Sequence, residues 1–318
     1  MPAKTIDNAF TSRQLTGAAS DPTHAGALSF MRRRYTKSLE GADVVVWGIP
    51  FDAAVSNRPG ARFGPQAIRR ASAIFDNDPQ YPFDADLFED LAVIDYGDCL
   101  LDYGNHQETP ATIEREAAKL VNSGAFVVSM GGDHFVTWPI LKAHAAKYGP
   151  LAMIQFDAHQ DTWFDDGKRI DHGSFVGRAV RDGVIDASRS IQVGIRTHAP
   201  DDCGIQMLYG YDVEEMRADE IVAAIKARVG DAKAYVTFDI DCLDPAFAPG
   251  TGTPVAGGPS SAKMLSVLRK LGSLDIVGAD IVEVAPAYDH ADITAIAGAS
   301  VAMHYIGLLA ERRSRLAK

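Results

Sequence analysis

Short, nearly continuous apolar stretches recur along the chain: Val44–Ile49, Leu91–Tyr96, Ala125–Met130, Leu151–Phe156, Ile191–Ile195, Ala234–Phe238 and Leu274–Val284. Most carry few polar residues on either side-chain face, the pattern of strands buried on both faces of a parallel sheet. Between them lie stretches with helical spacing, at about Ala111–Asn122, Pro139–Lys147, Val213–Arg228 and Ser260–Leu271. A last helix is expected over much of Ile293–Arg313. Strands alternating with helices predict a three-layer α/β fold. Gly and Pro cluster in Arg58–Pro65 and Pro249–Pro259, both too short and too closely flanked by structure to separate domains. We see no internal repeat and no low-complexity linker. One domain over 1–318 is therefore expected, with 1–40 set apart as an N-terminal extension.

Composition narrows the class. Of the 318 residues, 47% are hydrophobic and 23% charged, the balance of an ordinary globular protein. The sequence has no run of 18 uncharged apolar residues, and Met1–Thr23 lacks the apolar core of a signal peptide. A cytoplasmic protein with no membrane partner is expected. Three cysteines, Cys99, Cys203 and Cys242, are too few and too widely spaced for a disulfide framework or a thiolate zinc site. The net charge of −11 disfavours nucleic acid and suits a small cationic ligand.

Candidate chemistry lies where strands end. Val127–Met130 runs into Gly131-Gly132-Asp133-His134, and Met153–Phe156 into Asp157-Ala158-His159-Gln160-Asp161. Tyr235–Phe238 runs into Asp239-Ile240-Asp241-Cys242-Leu243-Asp244-Pro245. Ligands of open α/β sheets bind at the carboxyl ends of strands, so one crevice can gather all three segments. Residues two apart share a face in extended backbone, which predicts that Asp157, His159 and Asp161 point together, as do Asp239 and Asp241. Four gathered aspartates repel one another unless cations offset them. Two divalent ions would balance four charges, and His134 and His159 add neutral nitrogens. Carboxylate and imidazole without thiolate suit Mn²⁺, while the geometry leaves iron, cobalt, nickel and zinc open. An isolated Asp-x-Asp is more often a turn or a cap than a ligand pair. The weight rests on three such clusters, each directly after a buried strand.

These clusters resemble the signature of the ureohydrolases, the family of arginases and agmatinases. The likeness runs from about Val44 to the last helix. Gly48-Ile49-Pro50-Phe51-Asp52 and Arg62-Phe63-Gly64-Pro65 look like the family's first strand and following loop. Phe238–Pro254 and Val282–Asp289 look closest to bacterial agmatinases. The resemblance implies a three-layer α/β/α sandwich with a mostly parallel central sheet. It implies two Mn²⁺ per subunit, one held by His134, Asp157, Asp161 and Asp239. Asp157, His159, Asp239 and Asp241 would hold the other. His172, in Asp171-His172-Gly173-Ser174, matches a histidine thought to shuttle protons or position substrate. Glu283 matches the carboxylate that pairs with a guanidinium group, and Asp161 is a candidate proton carrier. Without the family, His172 reads as a loop histidine and Glu283 as half of a structural salt bridge.

The implied reaction is hydrolysis of a guanidino group with release of urea, and agmatine to putrescine is the preferred substrate and product. A guanidino acid such as 4-guanidinobutyrate is the alternative. Tail recognition is expected from 162–170 and 198–210. In the first loop Asp165 and Asp166 suit an ammonium, and Lys168 and Arg169 suit a carboxylate. A catalytically silent regulatory relative would be expected to lack a ligand, and a phosphatase to carry a basic clamp. The family usually forms homotrimers or homohexamers.

Overall fold

A computed structural model describes residues 7–17, 21–75, 79–84 and 86–316. Of the N-terminal segment set apart above, 1–6 and 18–20 lie outside the described residues. Nine strands form one sheet among the described residues: β1 (Arg34–Tyr35), β2 (Val44–Gly48), β3 (Val93–Asp98), β4 (Phe126–Met130), β5 (Ala152–Phe156), β6 (Ile191–Ile195), β7 (Gln206–Tyr209), β8 (Lys233–Asp239) and β9 (Asp275–Val282). All their pairings are parallel. The order β1-β3-β2-β4-β9-β8-β5-β6-β7 divides in an informative way. The first four strands in the chain form one half of the sheet and the next four form the other. The last strand, β9, lies between β4 and β8 and joins the halves.

Side-chain alternation builds the layers. Val44, Val46, Val128, Ile154 and Val236 bury themselves on one face, against helices Gly64–Ser72, Ala218–Val229, Ser261–Leu268 and Ile293–Leu316. Val45, Trp47, Val127, Met153 and Tyr235 face the other way, against Thr109–Asn122, Thr137–Tyr148 and Phe175–Arg181. The result is the expected α/β/α sandwich. The final helix is apolar and long enough to cross a bilayer, but 72% of its most apolar stretch is buried within the protein. It packs tightly: a Cβ added at Gly307 would lie 1.9 Å from the Phe83 ring.

The structure corrects several expected elements. The stretch 213–228 is two helices, Gly210–Glu215 and Ala218–Val229, because Met216 and Arg217 are extended. Glu220 Oε2 accepts the Arg217 N–H and so starts the second helix. Strands β1 and β7 and helices Gly64–Ser72 and Phe175–Arg181 were not anticipated. The strand expected at Leu91–Tyr96 begins two residues later and continues through Gly97 to Asp98.

Candidate metal centre

The four central strands, β4, β9, β8 and β5, each end at one crevice. Beyond β4 the chain turns sharply over Phe51. Asp133 N–H donates to the Phe51 carbonyl at 2.7 Å. A Cβ on Gly132 would lie 1.6 Å from that oxygen, so only glycine fits there. Asp133 is a cap and not a ligand: its carboxylate accepts N–H groups from Ala54 at 2.8 Å and Phe135 at 3.2 Å. The turn delivers His134 into the interior, 1% exposed.

The alternation argument for the acids fails, although the acids do converge. Strand β5 stops at Phe156, and Asp157 curls the next residues by accepting the His159 N–H at 2.6 Å. Asp161 sits in the left-handed region with φ 52°. After β8, Asp239 Oδ1 accepts the Asp241 N–H at 2.8 Å, which winds residues 240–242 into a tight helical turn. The two segments thus curl their acids around the crevice in place of presenting them along a straight strand. Arg196 pins the second turn from behind by donating to the carbonyls of Asp241 at 2.8 Å and Cys242 at 2.9 Å.

Two groups of donor atoms result, His134 with Asp157 and Asp239, and Asp157 with His159 and Asp241. His134 Nδ1 lies 3.0 Å from Asp157 Oδ2, 3.1 Å from Asp161 Oδ2 and 3.2 Å from Asp239 Oδ2, yet makes no hydrogen bond. His159 Nδ1 lies 3.1 Å from Asp241 Oδ2 and 3.5 Å from Asp157 Oδ1. Asp157 therefore offers one oxygen to each group. A buried nitrogen without a partner amid carboxylates, at the spacing of neighbouring ligands, fits a cation-binding centre.

Without a cation the cluster must hold protons. Burial, reinforced by the charge of Asp157, raises Asp161 to about 7. Burial and the charges of Asp241 and Asp157 raise Asp239 well above the carboxylate range. Burial opposes a charged His159, but Asp241 outweighs it and lifts the ring to about 12. A metal must displace these protons, so binding releases them. With Asp161 raised to about 7, its proton competes increasingly below that pH. Metal affinity is therefore expected to weaken as pH falls from 8 to 6. Calorimetric titrations of the metal-free protein across that range, in buffers of different ionisation enthalpy, check both the trend and the proton release. Affinity independent of pH would contradict it.

Glu283 follows β9 and is fully buried, at φ 62°. Its N–H donates to the Gly132 carbonyl at 2.8 Å. Glu283 Oε1 accepts from His134 N–H at 2.9 Å and pairs with His172 Nδ1 at 2.7 Å, while Oε2 has no partner. The other nitrogen of His172 lies 2.8 Å from Ser56 Oγ and receives the Ser56 N–H at 3.1 Å. Burial disfavours a charged His172, but the Glu283 carboxylate prevails and raises it to about 9. Ser56 acts the other way, since a nitrogen accepting its N–H carries no proton. The ring keeps a proton toward Glu283 and can exchange one at Nε2.

A cavity of about 420 Å³ opens over the centre, lined by His134, His159, Asp161, His172 and Asp239, with Trp163, Phe164, Arg169 and Asp171 among its other walls. A larger one of about 650 Å³, between Tyr81, Leu265 and His304, lies among none of these groups. Ser56 carried no sequence signal as a site residue, whereas Trp163 belongs to the loop 162–170 expected to meet the substrate. Asp165 is withdrawn from substrate by Arg178, which donates to it at 2.8 Å, and by Arg181. Asp166 accepts the N–H groups of Lys168 and Arg169 and shapes their turn. Neither aspartate lines the cavity, whereas Arg169 does, paired with Asp171 at 2.9 Å.

The arginase family model matches residues 42–307. The chain belongs to the arginase family. It is 50% identical over 309 residues to the agmatinase of Chromobacterium violaceum, covering 96% of each chain. A crystal structure described as a hypothetical agmatinase from Burkholderia thailandensis superposes with a TM-score of 0.96 at 50% identity, covering 97% of this chain and 99% of that one. Proclavaminate amidino hydrolase from Streptomyces clavuligerus superposes with a TM-score of 0.87 at 36% identity, covering 92% and 100%. Family and relatives together make the chain a metal-dependent hydrolase of guanidino groups.

Proposed function

We propose that the protein holds two Mn²⁺ per subunit and hydrolyses agmatine to putrescine and urea. His134, Asp157, Asp161 and Asp239 would hold one ion, and Asp157, His159, Asp239 and Asp241 the other. When bound, the pair would supply a water whose pKa falls from 15.7 toward about 7 and would offset the negative charge of the nucleophile so formed. The observation that carries the reading is Glu283 Oε2, a buried carboxylate oxygen without a partner beside this centre. It is free to accept guanidinium N–H groups and orient the cation. Asp161 carries a proton toward the leaving amine, and His172, on the cavity wall between Glu283 and Ser56, resupplies it.

The choice of agmatine rests on the relatives, and the cavity wall adds a test. Asp171 offers a carboxylate to an ammonium tail, and Arg169 neutralises it. Urea release should be measured with agmatine, arginine, guanidinobutyrate and guanidinopropionate, with Mn²⁺ and with chelator. Agmatine with Mn²⁺ is expected to lead, and chelator to abolish release. No urea from any substrate refutes the reading. In the same panel Arg169→Ala is expected to lower KM for agmatine about 3-fold, as one part-exposed charge allows, and not for guanidinobutyrate. We further infer one ureohydrolase unit over 1–318, a cytoplasmic location and a homotrimer or homohexamer, for which sedimentation of the purified protein is the check.

A further inference from the structure

The hydrogen bonds behind His134 decide which of its nitrogens is bare. His134 Nε2 lies 2.8 Å from Thr237 Oγ1, and Thr237 Oγ1 lies 2.6 Å from Asp280 Oδ1. All three residues are buried, with Thr237 and Asp280 at 0% exposure. The threonine hydroxyl has one hydrogen and two neighbours. Asp280, when ionised, can only accept, so the hydrogen goes to the carboxylate. Thr237 can then only accept from the ring, which places the histidine proton on Nε2. Once a cation displaces the proton that the aspartates draw there, Nδ1 presents its lone pair among Asp157, Asp161 and Asp239.

Asp280 is itself held. Its Oδ2 accepts from Thr137 Oγ1 and Tyr235 OH, each at 2.9 Å, and its own carbonyl accepts from Tyr305 OH at 2.9 Å. With Thr237, three hydroxyl groups donate to the carboxylate and keep it fixed in β9. Asp280 lies outside the two ligand groups and does not line the cavity. It interrupts the apolar run Ile276–Val282.

We propose that Asp280, acting through Thr237, is a positioning residue that sets the tautomer of His134 and so presents Nδ1 to a cation. Such outer partners of ligating histidines typically contribute 10–100-fold in metal affinity. The proposal rests on the metal-centre reading above. It concerns only the group containing His134. The group formed by Asp157, His159 and Asp241 shares no atom with the relay and serves as an internal control.

The test is Mn²⁺ alone, titrated into chelator-treated full-length protein, with stoichiometry and affinity read by calorimetry and metal analysis. Thr237→Val keeps the shape of threonine and removes the acceptor. It is expected to weaken one of the two ions about 10–100-fold and leave the other unchanged. Thr237→Ser, which restores the hydroxyl, is expected to bind both as wild type does. Asp280→Asn places an amide where the carboxylate was, allowing the threonine hydrogen to turn toward His134, and is expected to weaken the same ion. It also provides an independent reading should the valine variant fail to fold. Wild-type affinity for both ions in Thr237→Val or in folded Asp280→Asn overturns the relay, as does equal loss in Thr237→Ser and Thr237→Val. Absence of Mn²⁺ binding by the wild type overturns the metal centre itself, and the relay with it.

Discussion

Asp157→Ala is expected to remove both proposed metal ions and to lower urea release by on the order of 10³-fold or more. Asp239, proposed to reach both ions as well, is expected to show a comparable loss on replacement by alanine. Asp157 turns Oδ2 toward His134 and Oδ1 toward His159, so each donor group loses a member at once. His134→Ala and Asp241→Ala each remove a donor from one group, and each is expected to leave one ion per subunit at limiting Mn²⁺. Metal analysis of the purified variants separates the cases. Two ions per subunit in Asp157→Ala would show that the centre is assembled differently. A circular dichroism melt shows whether any loss comes from unfolding instead.

Glu283→Gln produces the opposite pattern. Both proposed ions are expected to stay, because Glu283 belongs to neither donor group and the glutamine amide oxygen can still accept from His134 N–H and His172 Nδ1. Turnover is expected to fall by about 10²–10³-fold, the typical effect of losing one preorganised electrostatic contact. The amide nitrogen that replaces Oε2 cannot accept a guanidinium N–H. A circular dichroism melt of the variant separates lost turnover from lost folding. Full turnover in Glu283→Gln would remove the guanidinium role from this residue.

Much of this was legible in the sequence because buried parallel strands leave a strong signal. Seven apolar runs located seven of the nine strands, and the acids behind three of them marked the crevice. The two missed strands are at the edges of the sheet. Gln206–Tyr209 has no fully buried residue, and Arg34–Tyr35 has only two residues, so neither forms an apolar run. Helix Gly64–Ser72 was hidden by its Gly-Pro start and by Arg69, a buried cation that pays no visible debt to hydrophobic pattern because it pairs with Asp95 at 2.8 Å and Asp98 at 2.7 Å. Residues 157–161 show the limit of alternation as a tool. It foresaw that the acids gather, but the cause is a turn formed by their own side chains. Ser56 lay beyond reach because its role depends on a loop brought beside a residue 116 positions away.

The position of β9 has a consequence for how the molecule is made. The strands that lead to His134 and to the acids at 157–161 and 239–241 have all been made once synthesis passes residue 241. The strand that stitches them together, and Glu283 behind it, emerge only afterwards. A nascent chain released before Asp275 carries all six candidate ligands and no seam to hold them in register. The ribosome therefore delivers every ligand before the scaffold that aligns them, and high-affinity metal uptake becomes a late step in the protein's maturation.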